Sequence, residues 1–326
     1  MAKKLVFLGM GGTIAGTAAS AADNVGYRAA QVGVDQLLQA IPTLEMALGR
    51  HELVSEQVAQ VDSKDMVFTH WNALALRVCH YLAQPDVSGL VITHGTDTIE
   101  ETAFFLSQVV PTALLESKPV VMACAMRPAS SLSPDGPRNV LDAVALACTE
   151  GATGVMVVCA GTIHSAQHVQ KVYPYRLDAF DSGDAGPMGY VEEGVVRLTY
   201  SWPKTEVIRP SISHEKLAQA VWPRVEIVTS YVGASGAMVR ALCSAPQGSE
   251  GPLCGLVVAG TGNGTIHTDL DAALREARAL GIQVVRSTRC AWGQIIPPSV
   301  LGDGFPHFKG LSPVKARIAL ILDLLA

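Results

Sequence analysis

The stretch SGLVITHGTDTIEETAFFLSQVV, residues 88–110, decides the fold. Its first part, SGLVITHG, is a continuous apolar run bounded by glycines, which suits a strand covered on both faces. TIEETAFFLSQVV then reads as a helix. Between them stand four consecutive residues, His94, Gly95, Thr96 and Asp97. Two capping patterns are available there, Asp97 with Glu100 and Thr98 with Glu101, each an N-cap followed by an acid three residues later. Threonine and aspartate beside a helix N-terminus can equally line a pocket for a small charged molecule.

The same alternation continues on both sides. KLVFLGM is a strand candidate, and VDQLLQAI places Val34, Leu37, Leu38 and Ile41 on one helical face. A helix is expected around WNALALRVCHYLA, a strand at PVVMACAM, a helix at RNVLDAVALACTE and a strand at GVMVVCAG. Alternating strands and helices imply a parallel sheet buried on both faces. After about residue 186 the pattern changes: GYVEEGVVRLTY reads as a hairpin, and SWPKTEVIRPSISHEKLAQAVWPR carries Pro203, Pro210 and Pro223 and reads as a long connection. Alternation resumes with VEIVTSY, GAMVRALC, GLVVAGTG, DLDAALREARALG and IQVVRSTR. The closing helix SPVKARIALILDLLA should start with Ser312 as N-cap and Pro313 at its first position. The expectation is a larger N-terminal α/β domain with a mainly parallel sheet at 1–197, a linker at 198–222 and a smaller C-terminal α/β domain at 223–326. Ligands of such sheets bind beyond the carboxyl ends of the strands. That directs attention to Gly9–Ala15, His94–Asp97, Met126–Pro128, Gly161–His164 and Gly260–Gly264.

Composition narrows the function classes. Of 326 residues, 49% are hydrophobic and 16% charged, against a usual charged share of roughly a quarter, so there is apolar surface to bury in a core or between subunits. The net charge is −5 and no basic cluster stands out, which argues against nucleic acid. The seven cysteines lack CxxC spacing and mostly lie in apolar runs, so they read as small buried hydrophobes in a reducing compartment. No segment is long and apolar enough to suggest a membrane span. The first residues imitate a secretory signal, but Gly9, Gly11 and Gly12 interrupt the apolar stretch, which reads better as strand, turn and loop; a cytoplasmic protein is expected.

GMGGTIAG, residues 9–16, invites a nucleotide reading and fails it. A dinucleotide fingerprint needs Gly or Ala where Ile14 stands, and a phosphate loop needs Gly-Lys-Ser/Thr where Gly16-Thr17 continues. What remains is a tight turn presenting Thr13. No metal or other cofactor is expected.

Singly, these signals are weak; together they are specific. GGTIAG at the N-terminus, HGTDTIEET near residue 95, AMRP at 125–128, SPDGPRN at 133–139, Lys171 in SAQHVQKVY and GNG at 262–264 resemble the bacterial asparaginase/glutaminase family over essentially the whole chain. The resemblance implies hydrolysis of the side-chain amide of L-asparagine, with a relaxed glutaminase-asparaginase or related amidohydrolase as the alternative. It implies Thr13 as first nucleophile, Thr96 with Asp97 and Lys171 as a Thr–Lys–Asp triad, and Tyr27 on a mobile lid near Thr13. It also implies Ser63 as a binder of the substrate carboxylate and Asn263 near the site of a neighbouring subunit, hence a homotetramer built as a dimer of dimers.

The chemistry needs such groups on its own terms. A threonine hydroxyl is a poor nucleophile unless a base takes its proton. Backbone N–H groups of the glycine turn and of the helix start are candidate oxyanion donors. Two positions depart from the family. Lys64 stands where Gln or Glu is usual, and CAWGQIIPP after VVRSTR lacks the acid that a partner subunit commonly lends. An ammonium at Lys64 ~5 Å from the substrate's own, at an effective dielectric of ~20, would repel it by roughly 3 kcal/mol. Lys64 is therefore expected to turn outward or to pair with Asp62, Asp65 or Asp97, and its change to Gln to lower KM several-fold. A non-catalytic amino-acid-binding protein is the reading from another class, and joint retention of Thr13, Thr96, Asp97 and Lys171 argues against it.

Overall fold

A computed structural model describes residues 2–202, 214–244, 251–296 and 304–326. The chain forms two compact units, Met1–Val207 and Ile208–Ala326. Residues 203–213, much of the expected linker, lie outside the described residues.

The first unit holds strands β1 (Lys4–Gly11), β2 (Glu52–Val61), β3 (Val87–Thr93), β4 (Pro119–Ala123), β5 (Gly154–Cys159), β6 (Thr162–Ser165), β7 (Gln170–Lys171), β8 (Phe180–Asp181), β9 (Gly189–Glu192) and β10 (Val195–Leu198). Its helices are α1 (Val34–Gln39), α2 (Leu44–Leu48), α3 (Phe68–Leu82), α4 (Ile99–Val109), α5 (Thr112–Leu115) and α6 (Gly136–Ala147). Eight strands form one sheet in the order β10-β9-β6-β5-β4-β3-β1-β2, and β7 pairs only with β8. From β2 to β5 the sheet is parallel. From β5 through β6 and β9 to β10 it is antiparallel, and β9–β10 is the expected hairpin. The central strands β1, β3, β4 and β5 are buried almost throughout, which is why they read as unbroken apolar runs.

Two readings need correction. β2 was not expected: it is a ten-residue edge strand, ELVSEQVAQV, with no fully buried residue, so it has no apolar run to announce it. Gly161–His164 is not a strand-to-helix crossing. Ala160 and Gly161, both at positive φ, turn the chain straight back into β6.

The second unit holds α7 (His214–Ala218), β11 (Arg224–Thr229), α8 (Ala237–Ser244), β12 (Leu253–Gly260), α9 (Thr268–Ala279), β13 (Gln283–Thr288) and α10 (Pro313–Leu325). Its sheet is parallel, β11-β12-β13. α7 lies within the stretch expected to be linker. α10 starts as expected, with Ser312 Oγ accepting from Lys315 N–H and Pro313 in the first turn.

No helix among the described residues is long and apolar enough to cross a membrane. All seven cysteines are free; Cys79, Cys124 and Cys159 are buried, while Cys290 is exposed, so fewer are core residues than their apolar neighbours suggest.

Candidate active site

β1 and β3 are parallel neighbours, so the turns at their carboxyl ends lie side by side. The first turn carries Thr13, the second Thr96, and both side chains are buried. Contact between the turns depends on glycine. Gly12 has φ 84°, a conformation that disfavours other residues, and a Cβ there would run into the backbone of Gly95. A Cβ on Gly95 would in turn meet the Ser63 side chain.

The hydroxyls have different partners. Thr13 Oγ1 lies 2.6 Å from the Tyr27 hydroxyl. Tyr27 sits on a loop whose base is closed by reciprocal backbone hydrogen bonds between Thr17 and Arg28, and whose outer part is held by Ser130 Oγ and by the Leu132 N–H. Burial raises the Tyr27 pKa, so the group is a phenol and not a resident phenolate. Thr96 Oγ1 accepts from Lys171 Nζ at 2.9 Å, and the same ammonium donates to Asp97 Oδ1 at 2.6 Å. Six expected residues thus gather in the first unit: Thr13, Tyr27, Ser63, Thr96, Asp97 and Lys171.

Ser63 is 2% exposed. Its Oγ accepts from Asp97 N–H at 3.2 Å and its carbonyl accepts from Thr98 Oγ1 at 2.8 Å. These bonds overturn the capping expectation. Thr98 is the N-cap by position, but its side chain does not cap α4, and Asp97 serves Lys171. Of the candidate oxyanion donors, Gly12 N–H is taken by Val61 O and Asp97 N–H by Ser63 Oγ. The N–H groups of Thr13 and Thr96 donate to nothing in the described chain and can serve a developing oxyanion.

Behind Thr96 runs a chain of hydrogen bonds that the sequence did not announce. Trp71 Nε1–H, a donor only, bonds Thr102 Oγ1 at 2.9 Å. Thr102 lies 3.0 Å from His94 Nε2, and His94 Nδ1 lies 2.8 Å from the Gly95 carbonyl. A carbonyl only accepts, so Nδ1 carries the proton and Nε2 accepts from Thr102. Burial lowers the His94 pKa to about 4 and keeps it neutral, as this order requires. The members are 31 and 8 residues apart in sequence, so no local pattern could reveal them.

SPDGPRN has a structural use. Asp135 accepts from the N–H groups of Met126 and Arg127, each at 2.9 Å. Asn139 donates to Cys124 O at 2.8 Å and accepts from Ala160 N–H at 3.0 Å, joining the ends of β4 and β5. A Cβ on Gly136 would press on Ile14, the neighbour of Thr13.

Lys64 turns outward, 60% exposed, and pairs with Asp65 and, at 3.6 Å, with Asp62. In the second unit Asn263 binds the main chain of Ile296, its Oδ1 accepting from N–H at 2.8 Å and its Nδ2 donating to the carbonyl at 2.9 Å. It therefore holds the residue 290–296 segment, the one lacking the acid. The metal-free expectation treats the nine histidines as holding no His-x-x-x-His pair, which is incorrect: His164 and His168 form one. Their Nδ1 atoms face Ser182 and Ser165, and among the described residues no group of three His, Cys, Asp or Glu could hold a metal.

Residues 4–204 match the family described as Asparaginase, N-terminal, and residues 224–325 match the Glutaminase/Asparaginase C-terminal domain. The glutaminase-asparaginase of Pseudomonas fluorescens biotype A is 36% identical, with 98% of this chain and 86% of that protein aligned. L-asparaginase 2 of Escherichia coli (strain K12) is 35% identical, over 98% and 88%. The crystal structure of the probable cytoplasmic L-asparaginase from Campylobacter jejuni superposes with a TM-score of 0.86 at 35% identity, covering 99% of this chain and 95% of that one. With one such model matched on each half and relatives of this similarity spanning nearly all of it, the chain belongs to the asparaginase family.

Proposed function

We propose that the protein hydrolyses the side-chain amide of L-asparagine to L-aspartate and ammonia through a threonine nucleophile. The observation that carries this reading is the pair of buried threonine hydroxyls on touching turns, one bonded to Tyr27 and the other to Lys171. In this reading Thr13 Oγ1 attacks the amide carbon while Tyr27 takes its proton and passes its own toward the departing nitrogen. The carbonyl oxygen, now an oxyanion, sits against the N–H groups of Thr13 and Thr96. Collapse breaks the C–N bond, releases ammonia and leaves an ester on Thr13. Water at Thr96 then attacks the ester carbon as Lys171, in its neutral amine form, takes the proton and passes it to Thr13 while the ester C–O bond breaks.

Binding follows from the same residues. Asp97 spends one oxygen on Lys171 and offers the other to the substrate ammonium. The Ser63 hydroxyl keeps its proton for the substrate carboxylate. Asn263 acts through the segment it holds, which in a homotetramer would come from a neighbouring subunit. Assembly as a dimer of dimers is supported by the low charged share of 16% and by exposed Tyr231, Val232, Trp292 and Ile296 on the second unit. Light scattering tests it. A cytoplasmic location is the matching inference; the C. jejuni protein is called cytoplasmic, while an H. influenzae relative at 34% identity is called periplasmic.

Relatives named glutaminase-asparaginase favour one second reading, relaxed specificity toward glutamine. Ammonia release from L-asparagine, L-glutamine and their D-isomers tests both. Turnover of L-asparagine above the others supports the first reading, comparable turnover of glutamine supports the second, and no release from any of them overturns both.

A further inference from the structure

We propose that Glu100 is a positioning residue for Lys171, holding its main chain so that the ammonium falls between Thr96 and Asp97. Glu100 Oε2 accepts from the Lys171 backbone N–H at 2.7 Å, across 71 residues of sequence. The inference rests on the catalytic reading of Lys171 given above.

A lysine ammonium sits at the end of a flexible four-carbon stem, so its position is only as well defined as the two ends of the residue. The far end of Lys171 is gripped by Thr96 Oγ1 and Asp97 Oδ1. The near end belongs to β7, a two-residue strand that pairs only with β8 and takes no part in the main sheet. That short ladder is extended by Val172 N–H donating to Ala179 O at 2.8 Å, and the Glu100 bond ties it to α4. Asp97 lies just before the N-cap of α4 and Glu100 in its first turn, so one short stretch of chain supplies a carboxylate to each end of the lysine. A bond from a neutral N–H to an ionised carboxylate is among the stronger hydrogen bonds. α4 is in turn tied down through Thr102 and the buried His94. The result is a clamp: the chain stretch from Asp97 into the first turn of α4 holds both the ammonium and the backbone of Lys171. A base displaced by about 1 Å can lose on the order of a hundredfold in rate while substrate binding is little altered.

The test uses purified enzyme and steady-state ammonia release from L-asparagine, with thermal stability recorded for each variant. Glu100→Ala should lower kcat by roughly 30–100-fold and leave KM within about threefold, because the lost geometry matters in the transition state. Glu100→Gln keeps an oxygen acceptor and should stay within about threefold of wild type in both constants. Glu100→Asp, a methylene short and still charged, should fall between them and provides the comparison if the alanine variant folds poorly. Lys171→Met is the control. If it stays active, the catalytic reading of Lys171 fails and the inference with it. If it is inactive while Glu100→Ala and Glu100→Asp turn over like wild type, Glu100 does not position Lys171. A Glu100→Gln variant as slow as Glu100→Ala would also overturn the proposal, since charge rather than the hold on the N–H would then be what matters.

Discussion

The turn after β1 and the turn after β3 each present one threonine, and they hold it in opposite ways. Thr96 stands on a built foundation: His94, Thr102 and Trp71 lock the backbone from behind, and Lys171, itself held by Asp97, meets the hydroxyl in front. Thr13 has a glycine turn behind it and a tyrosine from a surface loop in front. One hydroxyl is bonded to a lysine that is itself tied to Asp97, and the other to a tyrosine on a surface loop. The difference suits a division of labour. A nucleophile that must admit substrate benefits from a removable partner. A water-activating base benefits from a fixed one.

The largest effects should come from removing either hydroxyl. Thr13→Ala and Thr96→Val are each expected to lower kcat/KM by about a thousandfold or more, with folding intact, since both sit at strand ends and leave little cavity. Single-turnover measurements sharpen the comparison. Thr13→Ala should form no covalent ester, whereas Thr96→Val should form one slowly or accumulate it. Equal, near-normal ammonia release by either variant would remove the two-threonine mechanism.

The foundation itself has a pH signature. His94 has an ordinary pKa of 6.5 when unfolded and about 4 when folded, because burial disfavours its charge. Between those values the unfolded chain binds more protons, so the stability contributed by neutral His94 is present above pH 6.5 and lost as pH falls through 4. A shift of this size corresponds to roughly 3 kcal/mol. His94→Asn should be less stable than wild type at neutral pH, and the gap should close on acidification. Thr102→Val leaves the Trp71 N–H and His94 Nε2 without partners and is expected to destabilise by about 2–3 kcal/mol. Denaturant titrations across pH 4–8 check both. A gap that does not change with pH would mean His94 is charged or solvated.

The turn after β1 should respond differently. Tyr27→Phe removes the partner hydroxyl of Thr13 but no part of a buried network, so stability should change little. Turnover is expected to drop by roughly 10–100-fold, the scale of one proton-transferring group. A Tyr27→Phe variant that loses stability and keeps its rate would erase the contrast between the turns.

Legibility in the sequence divides along the same line. Both threonine turns were readable because each lies directly after an apolar run, and Asp97 is adjacent to Thr96. Lys171, Tyr27 and Ser63 came only with the family resemblance; singly they look like a solvated lysine, a loop aromatic and a turn serine. The His94–Thr102–Trp71 chain was hidden because Trp71 meets Thr102 only once α3 and α4 are packed, and the Glu100–Lys171 bond because β7 reaches α4 from 71 residues away. Glu100 was even misassigned, since three residues after Asp97 is also where a capping acid would stand. In the fold, unbroken apolar runs marked the central strands, whereas the polar edge strand β2 left no such mark.

The smallest effect concerns Lys64, beside Ser63 at the foot of the second turn. From the sequence alone its ammonium threatened the substrate's own. In the structure it points outward, is 60% exposed and lies against Asp62 and Asp65. The hydrogen bond to Asp65 raises its pKa, so it stays charged, but the charge is matched locally. An exposed charge already paired with two carboxylates is screened further by water and salt. Lys64→Gln is therefore expected to change KM for L-asparagine by less than about twofold, leave kcat unchanged and show the same salt response as wild type. The several-fold improvement anticipated from sequence should not appear. Measuring KM for both proteins at low and high salt decides the point. A large drop in KM that vanishes at high salt would mean that Lys64 leaves its carboxylates when substrate binds and turns into the site.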